Sequence, residues 1–174
     1  MNNLSQKQLE DIPTYILKTK DDKGLIHIRE TDDQVKILCK DFSITTANNF
    51  TTFVTNETIH FSRFHFFPDQ TIFNGYKLFT INNPPRGIEA IPMFMDTNGR
   101  LAAYQLVRGS KQCLYDNQPT FQLIFLVDDS FKMLWVHRNL YLVVQGDNRI
   151  GVTNDVSLAT PFLAYTNTFS TCSY

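Results

Sequence analysis

"RNLYLVVQGDNRIGVTNDVSLATPFLAY", residues 138–165, is the stretch on which the reading of the whole chain turns. A Tyr-Leu run leads into a polar turn around Gly146, a second short apolar run follows, and Pro161-Phe162 opens a third. β-Branched and aromatic residues suit a pleated, half-buried surface, whereas Asp, Asn and Gly supply the backbone angles of tight turns. The stretch therefore reads as strand, turn, strand and closing strand. Tyr141, Leu142, Val152 and Phe162 are expected to face a core, with "QGDNR" at a rim.

The same texture extends backwards to Gly24. "GLIHIRE", "QVKILCK" and "NNFTTFVTNETIHFSRFHFF" alternate or cluster apolar residues over strand-like lengths. "FPDQ", "NNPPRG", "DTNG", "DNQP", "VDDS" and "GDN" separate them with turn chemistry, at the spacing of an antiparallel barrel or sandwich. Pro84 and Pro85 cannot pair in a central sheet and suggest a stiff projecting loop. Ahead of Gly24, Ser5 offers an N-cap with Gln8 three residues on, and Pro13 ends the turn, which predicts a short helix. The expected organisation is an appendage over residues 1–23 and one all-β domain over 24–174.

A chain of 174 residues, 43% hydrophobic, has enough apolar material for a single core. Its net charge of −1 lacks the basic footprint that sequence-independent nucleic-acid binding needs. "MNNLSQKQLEDIP" has neither a basic start nor an apolar centre, and no apolar run reaches the roughly 20 residues of a membrane-spanning helix. The expectation is a protein that is cytoplasmic, or exported without a classical signal peptide, and not inserted in a membrane. Cys39, Cys113 and Cys172 are odd in number and far apart, which favours separate thiols over a disulfide framework or a zinc site.

Internal repetition is visible as well. "IPMFMDTNGRLAAYQLVRGSKQCLYDNQPTFQLIFL" repeats the order of the opening stretch, and "FSITTANNFTTFVTNETIHFSRFHFF" is a looser third copy. Phe64, Phe121 and Phe162 stand on the closing strands, unevenly spaced. On these residues, "NLYLVVQGDNRIGVTNDVSLATPFLAY" resembles a repeat of the β-trefoil superfamily, whose closing Phe fills the barrel floor. The resemblance implies an antiparallel barrel of three repeats. The Gln-x-Trp signature of the ricin-type lectin branch is absent, since Trp135 follows Met133 and Leu134, and the fascin-like branch carries no short motif strict enough to test. "CLYDNQPTFQL", residues 113–123, resembles a segment of the interleukin-1-like cytokines, a branch whose members often lack a leader. The rival folds are a lipocalin-like barrel, which would place a Gly-x-Trp early in the chain, and a β-sandwich.

Catalytic signatures do not stand out. There is no Gly-x-Ser-x-Gly elbow, phosphate-binding loop or EF-hand spacing. His27, His60, His65 and His137 lie in expected strands, and His60 and His65, five apart, fall on opposite faces of an unbulged strand. Adjacent acids such as Asp21-Asp22 and Asp128-Asp129 read as solvated turn residues. Neither a metal nor a cofactor is expected, and the enzyme question leans towards no. What remains is recognition by loops: Asp96 and Asn98 in "DTNGR", Tyr115, Asp116 and Asn117 in "YDNQP", and Asp147 and Asn148 in "QGDNR". Such groups can hydrogen-bond sugar hydroxyls while Tyr104, Tyr115 or Tyr141 packs on an apolar sugar face, and they can equally satisfy their own turns. The expected function is a noncatalytic binding module for carbohydrate or a protein partner. The alternatives are a leaderless cytokine-like effector and, third, an all-β hydrolase with a site assembled from distant residues.

Overall fold

A computed structural model describes residues 12–57, 61–82 and 89–168. Its elements are β1 (Pro13–Thr19), β2 (Gly24–Ile28), β3 (Gln34–Leu38), β4 (Ile44–Thr55), β5 (Arg63–Pro68), β6 (Gly75–Asn82), β7 (Glu89–Met95), β8 (Leu101–Arg108), α1 (Lys111–Asp116), β9 (Phe121–Phe125), β10 (Phe131–Trp135), β11 (Leu140–Val144), β12 (Ile150–Thr153), a 3-10 turn (Val156–Leu158) and β13 (Phe162–Thr168). All the strand pairings among the described residues are antiparallel.

Six of the strands close on themselves. β1 pairs β5, β5 pairs β6, β6 pairs β9, β9 pairs β10, β10 pairs β13, and β13 returns to β1. The remaining strands form three excursions from this ring: β2 and β4, with β3 on β4; β7 and β8; and β11 and β12. Each third of the chain thus gives its first and last strand to the ring and its middle to an excursion. The thirds differ in what they insert, β3 in the first and α1 in the second, and α1, lying between Phe64 and Phe121, makes the spacing of the closing phenylalanines uneven.

Within each third, the first and last strands pair in one shared register. Tyr15 lies opposite Phe64, Tyr76 opposite Phe121, and Phe131 opposite Phe162. Phe64, Phe121 and Phe162 are all fully buried, together with Leu17, Leu78 and Met133 from the first ring strands. They form one core with Leu25, Leu101, Leu142 and Ile150 from the excursions. Truncating any of the three phenylalanines would cost about 3–5 kcal/mol, a large part of a domain's stability.

Hairpin turns repeat a single solution. After Thr19, Cys39, Asp96, Leu126 and Gln145, the amide of that residue donates to the carbonyl four residues on, and its own carbonyl accepts from the amide three residues on. The third residue then has a left-handed backbone: Asp22, Phe42, Gly99, Asp129 and Asn148, with φ of 66, 66, 71, 68 and 67°. This is the three-residue hairpin whose last position favours Gly, Asn or Asp, because other side chains clash there. Phe42 is the exception, and it is 83% exposed.

Several expectations are corrected. β1 begins at Pro13 and pairs along its whole length with β13, so Pro13–Thr19, expected to lie ahead of the all-β region, is a strand of the sheet. The helix expected at residues 5–12, the Pro84-Pro85 loop, His60 and Cys172 lie outside the described residues or at their edge. A helix does form at α1, where Ser110 accepts the Cys113 amide as N-cap and Leu114 is buried against Ala47, Phe94, Ala102 and Tyr104. Tyr141 and Leu142 are neighbours on β11 and point to opposite faces, so Leu142 enters the core and Tyr141 does not. On β12 it is Ile150 that is fully buried, with Val152 packed at the core's margin.

The cysteine expectation changes too. Cys39, at the end of the β3–β4 hairpin, is bonded to Cys113 of α1 across 74 residues. A cross-link over so long a loop restricts the unfolded chain, and in the chain-entropy account it contributes about 4 kcal/mol. Reduction, or replacement of both cysteines by Ala, should therefore lower the melting temperature; an unchanged melt on reduction would show that the bridge does not hold α1 to the hairpin.

Candidate functional site

The three loops expected to carry recognition separate into two places. "DTNGR" is the tip of the β7–β8 hairpin and "QGDNR" that of β11–β12, and the fold brings these two tips together. Arg100 pairs with Asp147 at 3.3 Å, Asp147 also pairs with Arg149 at 3.1 Å, and Arg149 continues to Glu30 beyond β2. Phe53 of β4 lies under the Arg149 guanidinium at 4.7 Å, and Thr51 donates to Glu30 at 3.0 Å. The chain Arg100, Asp147, Arg149, Glu30 thus joins all three excursions.

Here the polar groups are engaged with the protein itself. Asp96 accepts the amides of Asn98 and Arg100 at 2.8 and 3.0 Å. Asp147 accepts the Arg149 amide, and that bond, followed by the Arg149 and Arg100 charges, holds its carboxyl below the usual carboxylate range. Asn148 sits in the left-handed turn position, and its carbonyl accepts the Val54 amide at 2.9 Å. Adjacent turn acids behave alike: Asp128 accepts the amide and hydroxyl of Ser130 and pairs with Lys20 at 2.7 Å.

"YDNQP" lies elsewhere, running from the last turn of α1 to β9. Tyr115 is buried, edge-on to Phe79 at 5.8 Å, and Tyr104 is buried and stacked on Phe94 at 4.5 Å, so neither ring offers a face to a ligand. Burial pushes both phenols upward, helped by Glu89 for Tyr115 and by Asp96 for Tyr104. Asn117 closes the helix, its side chain donating to the Cys113 carbonyl at 2.7 Å, and Asp116 accepts from Gln112 at 2.8 Å.

Beside this segment opens a cleft of 490 Å³, between the β5–β6 loop, the end of β7, residues 116–120 and the β10–β11 turn. Asp116 and Asn117 share its wall with Trp135, His137 and Arg138, while Thr120 donates to Asp69 at 2.6 Å on the other side. Arg138 lies over the Trp135 ring at 5.5 Å. Gln118, 7% exposed, lines the cleft as well: its amide donates to the Leu78 carbonyl at 2.9 Å, and its Oε1 has no partner among the described residues. Trp135 was not among the residues singled out from sequence. The signal was there, a lone Trp at a strand end followed by the polar "HRN", although its nearness to Asp116 depends on the ring.

The described residues contain no cluster of three or more His, Cys, Asp or Glu able to hold a metal, and no helix among them is long and apolar enough to cross a membrane. Comparison of the chain with protein-family models and with curated proteins finds no match.

His27 has a separate consequence. Its ring packs edge-on to Phe64 at 5.3 Å, Nδ1 lies 3.2 Å from the Thr52 hydroxyl, and Nε2 has no partner among the described residues. Burial lowers its pKa from the ordinary 6.5 to about 3. The unfolded chain therefore binds a proton that the folded one refuses between these values, so the stability tied to neutral His27 is complete above pH 6.5 and is lost as pH falls towards 3. Urea titrations over this range should show His27→Phe with an acid limb shallower by up to about 1.4 kcal/mol per pH unit; limbs of equal slope would refute the assignment.

Proposed function

We propose that the chain is a noncatalytic binding module on a β-trefoil-type barrel, and that it recognises carbohydrate at the Trp135 cleft. The trefoil reading draws support from the threefold recurrence of ring strands, excursions and the aromatic-to-Phe pairing that closes each third. The carbohydrate reading rests on one observation: an indole, the largest aromatic surface in the chain, shares a 490 Å³ cleft with the exposed polar side chains of Asp116, Asn117, His137 and Arg138. Sugars present an apolar face and a rim of hydroxyls, and a ring beside such donors and acceptors matches both. The Cys39–Cys113 bridge favours the exported side of the localisation reading, because disulfides persist in oxidising compartments.

A glycan array tests the carbohydrate reading, with Trp135→Ala as the variant of choice. Asn117 is a poor choice, since it caps α1 and its loss would disturb the helix as well as the cleft. Wild type should bind a defined glycan class, and Trp135→Ala, which also removes packing against the core and so lowers the melting temperature, should weaken that binding about tenfold or more at a temperature where the variant is fully folded. Absence of binding to any glycan, or equal binding by the variant, would remove the reading.

A protein-directed effector is the second reading, and Phe42 favours it. Leu38 and Ile44 are cross-strand partners, 59% and 50% exposed, and Phe42 stands between them at the hairpin tip. A phenyl ring at a left-handed position, exposed to water, does nothing for folding that Asn would not do better. Phe42→Asn should therefore raise the melting temperature, by the equivalent of about 1 kcal/mol. A fall in stability would mean that Phe42 serves the fold, and the effector reading would lose its support.

A further inference from the structure

One end of the ring is not filled by the described residues. Side chains two apart on a strand point the same way, so the residues next to the buried layer are set by register. Tyr15, Tyr76 and Phe131 precede Leu17, Leu78 and Met133 by two, and Phe66, Leu123 and Ala164 follow Phe64, Phe121 and Phe162 by two. All six line one cavity of 430 Å³, to which each of the six ring strands contributes. Two of the following positions carry large side chains, Phe66 and Leu123, whereas the third is only Ala164. Space that a large residue would occupy in the third repeat is open.

The walls of this cavity are aromatic. Phe66 meets Tyr15 at 5.7 Å, Tyr76 at 5.9 Å and Phe131 at 6.2 Å, each nearly perpendicular, and Phe125 leans on Phe131 at 5.6 Å. Asp129 also lines it, and among the described residues no Lys or Arg does. Lys20 pairs with the neighbouring Asp128, while the Asp129 carboxylate has no side-chain partner among the described residues. His65, on the wall, donates from Nδ1 to the Pro13 carbonyl at 3.4 Å. Burial lowers the pKa of His65, against the opposing effect of that bond, and this favours the neutral ring.

From this lining we infer that the open end of the ring is a binding site for an organic cation with an apolar body, of the aryl-ammonium or quaternary-ammonium kind. Ring faces carry negative potential, a lone carboxylate adds to it, and the apolar walls desolvate the body of the ligand. An anion would meet a carboxylate and, among the described residues lining the cavity, no positive charge. The volume lies within the range of small-molecule sites.

Benzyltrimethylammonium is a suitable probe and benzyl alcohol its neutral comparator, with binding followed by NMR titration of the full chain. Wild type should prefer the cation by about fivefold or more. Ala164→Phe restores to the third repeat the bulk found in the first, and it should abolish saturable binding of both compounds. Asp129→Asn keeps a residue suited to the turn, as Asn148 is in the equivalent hairpin, and should weaken the cation about threefold with benzyl alcohol unchanged. Trp135→Ala, in the other cleft, should alter neither. A smaller preference for the cation, binding that survives Ala164→Phe, or binding lost in Trp135→Ala would overturn the inference. Should Ala164→Phe fail to fold, Asp129→Asn alone decides, equal affinity for the cation overturning it.

Discussion

Closure of the ring is the constraint on which the rest depends. A sheet closed on itself has no free edge along its ring strands, but alternate residues of every strand then point into one enclosed space that has to be filled. Leu17, Leu78 and Met133, with Phe64, Phe121 and Phe162, fill the middle of it. Because the first and last strands of each third pair in one shared register, an aromatic residue stands opposite each of those phenylalanines. The excursions are under no such demand, and it is there that the thirds differ: β3 in one, α1 in another, a short 3-10 turn in the last. The Cys39–Cys113 bond ties the first two insertions to each other, around the small second core of Ala47, Phe94, Tyr104 and Leu114.

Charge in this molecule is spent largely on local geometry. Asp41, Asp69, Asp128 and Asp155 each accept the amide and hydroxyl of a Ser or Thr two residues on, and their carboxyls lie below the usual range, chiefly through Thr120 at Asp69 and Lys20 at Asp128 and through those Ser bonds at Asp41 and Asp155. Arg100, Asp147, Arg149 and Glu30 hold hairpin tips together. Polar residues at loops are for this reason a weak guide to function here. The features that the fold does not explain are of another kind: an indole beside polar side chains in a cleft, a phenyl ring at a turn position suited to Asn, and an alanine where two related positions carry Phe and Leu.

Much of the architecture was legible in the amino-acid order. The strands from Gly24 onward, the turns between them and the phenylalanines that close each third all follow from local rules, since alternation, turn chemistry and repetition are properties of short segments. β1 was not legible, because Pro13 reads as the end of a helix until β13 is seen beside it. α1 was missed for a related reason: six residues cannot hold a helix unaided, and this one depends on Ser110, on the burial of Leu114 and on the bridge to Cys39.

By itself, then, the sequence determined an antiparallel all-β chain, the residue types at its turns and the phenylalanines that close each third, Phe64, Phe121 and Phe162. Tertiary structure decided what those residues are free to do. It drew Asp96, Asp147 and Asn148 into hairpin packing, buried Tyr104 and Tyr115, set Trp135 beside Asp116 and Asn117, and opened the end of the ring at Ala164. The physical reason is one of range. Backbone preferences act over a few residues and can be read along the chain, while burial, cavity shape and ion pairing depend on strands that meet only when the ring closes.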